Sequence, residues 1–411
     1  MTLIKESLIN SILGTPAGAG TVSLGVAFFL GSIMEMLGAV YLSGEVVASI
    51  AGEKSVVMMK LYQSSNATEC GHFIQDSPTL IRERTLMLGL VTSMVASQIW
   101  QLIATYLAWP VSGTHTIISA LMGFTLVEQG AQGINIGNPS LFNGSGIFKV
   151  IYGLLISPLF TLILTFACYL FIYKFSVKSK KIWSVTNKLT YSFCVFMMMM
   201  AITFTFASMY QIEEVEGLMM NKKVFGVILG VLVGFFSALL YFFFILPQLL
   251  KMKGDLRISF SMFSRKEKEN TSVKDDLSVT LEMNDNVKTP VVDTDEDDES
   301  DEIKRVFRPL QIIAACFGAL SHGSNDVGNC IGPLVTVWHI YRTPINYDTS
   351  APVYGILVWG GLGIALGLVC FGERVIETMG SKISKVTPSL GFTVVMTSSI
   401  VVVVCSIAGD N

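Results

Sequence analysis

Two carboxylates stand inside long apolar runs of this 411-residue chain. One is Glu35, in Gly31-Ser32-Ile33-Met34-Glu35-Met36-Leu37-Gly38. The other is Asp326, in Ala319-Leu320-Ser321-His322-Gly323-Ser324-Asn325-Asp326-Val327-Gly328-Asn329. A charge in an apolar span is costly and marks a functional position by default. The second string is too polar for a lipid-facing helix, and Gly323 and Gly328, followed by Gly332-Pro333, are expected to break it. Broken backbone at membrane depth survives only when buried in protein or lining a watery cavity. Such a place suits a small oxyanion together with a hard cation. A half-helix N-terminus presents free N–H groups and a positive dipole end to an anion. Asn325 and Asn329 can donate through their amides, and Asp326 offers a carboxylate oxygen to a cation such as sodium. The plainer alternative is a structural kink carrying a neutral, buried Asp.

A second candidate is Pro110-Val111-Ser112-Gly113-Thr114-His115. Pro110 cannot continue a preceding helix, and Ser112 or Thr114 can cap the next one. Their hydroxyls and its free N–H groups would form a second anion cradle, although a capped tight turn explains the string equally well. His115 reads as a packing residue. Arg and Lys are missing from the interiors of the apolar spans. Amides, hydroxyls and helix ends leave an anion's charge incompletely balanced, so a co-bound cation is expected to supply the rest. Gly14-Thr15-Pro16-Ala17-Gly18-Ala19-Gly20 lacks the Lys of a phosphate-binding loop. No nucleophile–base pair or metal cluster is visible, so an enzyme is not expected, and neither is a cofactor. Six of the seven cysteines lie in apolar segments, and Cys70 stands alone in a polar loop.

The elements that must position these residues are membrane spans. The chain is 51% hydrophobic and 14% charged, with a mean hydropathy of +0.59; soluble chains carry about 25% charged residues. Net charge is −3, which excludes a basic nucleic-acid binder. Spans of the roughly 20 residues needed to cross hydrocarbon are expected at 22–47, 86–107, 111–127, 148–173, 189–210, 224–250, 352–371 and 391–408, with a more broken stretch at 309–341. The polar segment 251–308 begins basic, ends in the acidic run Asp293 to Glu302, and reads as a disordered loop. Its Lys and Arg residues, and those of 174–188, place both segments in the cytoplasm. Counting back puts 211–223, 128–147 and 48–85 outside, where the sequons at Asn66 and Asn143 fall. Leu37-Gly38-Ala39-Val40 is similar to Leu366-Gly367-Leu368-Val369, and the two lie in spans of opposite direction, the mark of an inverted repeat.

These strings resemble the PiT family of inorganic phosphate transporters. His322 to Leu334 resembles the family signature G-[AG]-N-D-V-x-N-x-[IF]-G, departing at Ser324, where Ala or Gly is usual. Pro110 to His115 resembles its P-[IV]-S-[GST]-T-H signature, and Trp100 to Leu107 and Gly391-Phe392-Thr393 also match. The resemblance implies an all-α, polytopic transmembrane bundle with an inverted repeat and broken or re-entrant helices. It implies phosphate uptake driven by sodium or protons, in a multi-pass protein of the plasma membrane. Carried over, the phosphate ligands are Ser112, Thr114, Asn325 and Asn329. Asp326 and Glu35 are the sodium-binding or coupling groups, and a glycosylated first outer loop matches Asn66; the outer sequon makes Asn143 a second expected glycosylation position. The expected partners are inorganic phosphate, sodium and membrane lipid, with a homo-oligomer left open.

The expected organisation is a first transmembrane repeat with additional helices over 1–250, the cytoplasmic loop over 251–308, and a second, incomplete repeat over 309–411. The family's first N-D-x-x-N copy should precede Gly14-Thr15, where Met1 to Ile9 stand instead. The second P-x-S-x-T-H copy would lie beyond Asn411, and Val394 and Val395 occupy the place of a family Glu. An alternative expectation is therefore a transport-inactive, shortened isoform that partners or regulates a full-length transporter. The topology is checked by glycan-shift mapping in intact cells: glycans are expected at Asn66 and Asn143 and none at Asn270. The reverse pattern contradicts the assignment.

Overall fold

The fold is organised by one helix that is longer than a membrane is thick. A computed structural model describes residues 14–19, 21–43, 79–106, 111–134, 136, 146–178, 184–209, 222–251, 256–260, 279–283, 299–342, 354–382 and 387–408. In chain order the helices are α1 (Gly14–Gly18), α2 (Leu24–Leu42), α3 (Thr79–Tyr106), α4 (Gly113–Gln129), α5 (Gly146–Ile172), α6 (Val185–Met209), α7 (Lys222–Leu240), α8 (Leu246–Lys251), α9 (Asp301–Arg342), α10 (Tyr354–Lys382) and α11 (Pro388–Ala408). A π-helical turn, Tyr241–Ile245, joins α7 to α8, and another, Tyr173–Val177, ends α5. Among the described residues five helices are long and apolar enough to span a bilayer, and shorter apolar helices lie at Tyr354–Val369 and Pro388–Val401. The chain is a multi-pass, predominantly helical membrane protein.

Helix α9 has 42 residues, which at about 1.5 Å each reach roughly 63 Å, twice the hydrocarbon thickness of about 30 Å. Its first turns, Asp301 to Arg308, mix charged residues with Ile303, Val306 and Phe307, which are buried. The same helix contributes to every large apolar cluster. Leu310, Ala314 and Phe317 pack with Tyr191, Met198 and Phe392; Ile340 packs with Leu86, Leu90 and Ile117. Val327 and Ile331 meet Leu357 and Ile364, and Ala315 and Ala319 meet Val22 and Val26.

Two expectations require correction. Gly323, Gly328 and Pro333 do not break the 309–341 stretch: α9 runs through all three, with Pro309 and Pro333 inside it. The physical reason is that a continuous helix satisfies its own backbone donors and acceptors, which a broken one in the membrane must satisfy otherwise. The glycine serves contact instead. A Cβ on Gly323 would collide with the backbone of Glu35, and one on Gly38 with the Leu320 carbonyl. Small residues let α2 and α9 approach this closely. The loop 251–308 is also not wholly structureless. Leu256–Phe260 (β1) pairs antiparallel with Val279–Met283 (β2), Leu256 opposite Met283 and Phe260 opposite Val279. Both strands alternate apolar and polar residues, a period-2 signal. In addition, α9 already begins at Asp301, inside the segment assigned to the loop.

Helix α2 runs parallel to α9. Thr21 donates to Gln311 Oε1 at 2.8 Å near the start of both, and Glu35 meets His322 further along both. Helix α10 covers the pair: Gly360 faces Val327 and Ile331 of α9, and Gly361 faces Met36 and Ala39 of α2. The repeat strings of α2 and α10 thus lie on packed neighbours. Helix α4 begins at its cap Ser112 and ends at Gly130, whose φ of 68° turns the chain out in a left-handed conformation that glycine adopts freely.

Gly323→Val is expected to lower the thermal unfolding midpoint of the detergent-purified protein, with an overpacking cost of about 1–3 kcal/mol. Gly123→Ala, where an added Cβ meets nothing, should leave it unchanged or raised.

Candidate functional site

Glu35 and Asp326 reach the same place because His322 stands between them. His322 and Asp326 are four residues apart on α9, which puts them on one face. His322 Nε2 lies 2.7 Å from Asp326 Oδ2, and its Nδ1 lies 3.3 Å from Glu35 Oε1 on α2. Glu35 is 2% exposed and Asp326 is 8% exposed. The distances are those of ion pairs, but the ring nitrogens do not point along full hydrogen-bond directions. The trio is close, buried and imperfectly saturated. With both carboxyls ionised it carries a net negative charge even when the imidazole is protonated. Such a group is strongly affected by an added cation.

The other signature side chains on α9 turn back on their own helix. Asn325 Nδ2 donates to the Ser321 carbonyl at 3.0 Å, and Ser324 Oγ donates to the same carbonyl at 2.7 Å. Ser324, the departure from the family pattern, therefore satisfies its hydroxyl locally and leaves the α2 contact undisturbed. Asn329 lies in α9, with its side chain outside the described residues. Pro333 carries no N–H, so the Asn329 carbonyl lacks its usual helical donor.

The second signature forms a separate feature. Ser112 caps α4, its Oγ accepting from the His115 N–H at 3.5 Å. Thr116 Oγ1 donates to the Ser112 carbonyl at 2.7 Å. Between α3 and this end of α4 lies a cavity of about 540 Å³ whose lining includes Ser97, Trp100, Ser112, His115, Thr116 and Ser119. A water takes about 30 Å³, so an oxyanion fits there with hydration water. Ser97 Oγ is buried without a hydrogen-bond partner. Thr114 is half-buried and does not line the cavity, and the lining takes no residue from α2 or α9. The structure thus unites Glu35 with Asp326 and keeps Ser112 apart from them. Pro110, Asn66 and Asn143 lie outside the described residues.

Sequence reasoning did not single out His322 as the residue that joins the two carboxylates. Its signal was present in the spacing: a histidine four residues before the intramembrane Asp must share a helical face with it.

The described chain is thus a multi-pass helical bundle with a buried carboxylate–imidazole–carboxylate contact on α2 and α9 and a separate, hydroxyl-bearing cavity beside α4. The chain belongs to the phosphate transporter family, whose model matches residues 9–409. It is similar to a putative phosphate permease of Haemophilus influenzae, 28% identical over 98% of this chain and 79% of the relative. It is also similar to sodium-dependent phosphate transporter 1-B of Danio rerio, 23% identical over 96% of this chain and 83% of that protein. A shorter match, 42% identical over 29% of this chain and 18% of the relative, is to human sodium-dependent phosphate transporter 2. Among solved structures, a sodium-dependent phosphate transporter superposes with a TM-score of 0.71 at 22% identity, covering 99% of this chain and 82% of that one. That likeness shows a shared fold.

A double-mutant cycle tests the central contact. His322→Ala should destabilise strongly, since breaking a buried pair costs about 3–5 kcal/mol. Adding Asp326→Asn should cost less than the sum of the two, with a coupling of roughly 1 kcal/mol or more in thermal unfolding. Strict additivity contradicts the pairing.

Proposed function

We propose that this chain carries inorganic phosphate across the membrane in symport with sodium. The observation that carries the reading is the buried trio Glu35–His322–Asp326 at the packed contact of α2 and α9. With both carboxyls ionised, the trio's net negative charge favours an incoming cation, whereas phosphate alone would add repulsion. No Lys or Arg lies in the interiors of the expected spans to balance the anion. The compensating charge must then come from solution, which ties the anion's entry to a cation's. Glu35 and Asp326 are the coupling groups in this reading, and the sodium-dependent names of relatives support sodium as the cation.

Phosphate is held by Ser112, Thr114, Asn325 and Asn329. For Asn325 this requires its amide to leave the Ser321 carbonyl, and for Ser112 it requires the N-terminal turn of α4 to come within reach of α9. Ligand binding in this scheme selects a conformation in which the two signatures meet, and the differential affinity for that conformation drives the shift.

Asp326→Asn keeps the side chain's shape and removes a charge. In vesicles holding the purified variant, sodium should no longer stimulate phosphate uptake. The loss expected is about tenfold or more, because a charge-assisted contact contributes roughly 1.5–3 kcal/mol and about 1.4 kcal/mol is a factor of ten. Wild-type sodium dependence in a folded variant contradicts the role given to Asp326.

A further inference from the structure

The acidic run before α9 ends on a carboxylate that is not solvated. Glu299 is 3% exposed, two residues before the start of α9. It sits against the Thr387 and Ser389 hydroxyls and the Ser389 N–H, at the N-terminus of the 21-residue α11. Neither carboxylate oxygen completes a well-directed hydrogen bond there. The turn it meets is otherwise built locally: the Leu390 N–H donates to Thr387 Oγ1 at 3.4 Å and the Gly391 N–H to the Thr387 carbonyl at 2.8 Å. Just above, Phe307 of α9 lies 5.8 Å from the Phe392 ring of α11 and 5.6 Å from the Tyr191 ring of α6. An acidic tract is usually a solvated spacer. A buried, loosely held carboxylate at a helix N-terminus, where the dipole end is positive, does something more specific.

We propose that Glu299 is a proton-sensitive latch that pins the inner end of α9 to the first turn of α11. The latch restrains the helix that carries His322 and Asp326 at the end where the large polar segment joins it. Burial pushes the Glu299 carboxyl above its ordinary value, against the opposing pull of the Thr387 and Ser389 contacts and of Lys304. The charged or titratable groups around it are Lys304 on α9 and Tyr191 on α6, with Glu302 acting on the same tyrosine. The first turns of α11 present no titratable side chain. Because the docked carboxyl binds its proton more tightly than the free one, acid favours docking. The contribution is present below the free carboxyl's pKa and is lost as pH rises through the docked one.

Hydrogen exchange of the full-length, detergent-purified protein reads this directly, in the peptide covering 387–395 after correction for intrinsic rates. Three results are expected. In the wild type, protection of this peptide falls as pH rises. In Glu299→Gln, a permanently neutral isostere, protection is retained and flat with pH. In Glu299→Ala, exchange quickens by about tenfold, the equivalent of roughly 1.4 kcal/mol, while the peptide covering 29–38 of α2 is unchanged. Wild-type exchange in Glu299→Ala overturns the latch. If that variant loosens everywhere, Glu299→Gln decides: pH-independent protection supports the latch, and a wild-type pH dependence overturns it.

Discussion

A charge placed in a membrane interior must have its counter-charge within contact distance, because the surroundings neither solvate nor screen it. Glu35 and Asp326 meet this requirement through one imidazole. That requirement dictates the spacing of α2 and α9. The helices must approach until backbone meets backbone, and Gly38 and Gly323 are the residues that allow it. Gly360 and Gly361 of α10 then close over the joint against Val327, Ile331, Met36 and Ala39. The apolar clusters along α9 hold this arrangement from one end of the helix to the other. Two carboxylates share one imidazole, so when both are ionised the contact is incompletely neutralised. That combination suits a group whose partner is an ion that comes and goes.

The end of the bundle where α9 and α11 begin follows a related rule. Around the first turns of α9, polar groups are buried between neighbouring elements. Thr21 and Gln311 pair at 2.8 Å, Ser176 Oγ donates to Tyr191 Oη at 3.0 Å, and Glu299 is buried against the first turn of α11. Buried polar groups of this kind hold helices in one register when satisfied. A group left loosely satisfied responds to protonation or to movement of its neighbours.

Much of the fold was legible in the sequence, for stated reasons. The long apolar runs mark the spans. The expected stretch at 148–173 appears as Gly146–Ile172, and that at 224–250 as Lys222–Lys251 with a π turn inside. Glycine at Gly323 was ambiguous, since the same residue breaks a helix or lets another approach. Only the neighbouring backbone of Glu35 decides between these. The site was half legible. Two intramembrane carboxylates single themselves out by cost, but their meeting depends on a tertiary contact 287 positions away in the chain, from Glu35 to His322. The β1–β2 pairing was readable from alternation over five residues, and the polar composition around it concealed the signal.

The account's central claim is that a solution cation completes the charge balance of the Glu35–His322–Asp326 contact and so admits phosphate. Tracer phosphate uptake by the wild-type chain, reconstituted alone into sealed vesicles, tests it most directly. The comparison is between an inward sodium gradient and the same gradient of choline, at matched internal and external pH. The account predicts phosphate accumulation above equilibrium under the sodium gradient, collapsing when sodium is equalised across the membrane. Equal uptake with choline, or no accumulation under either cation, would contradict it.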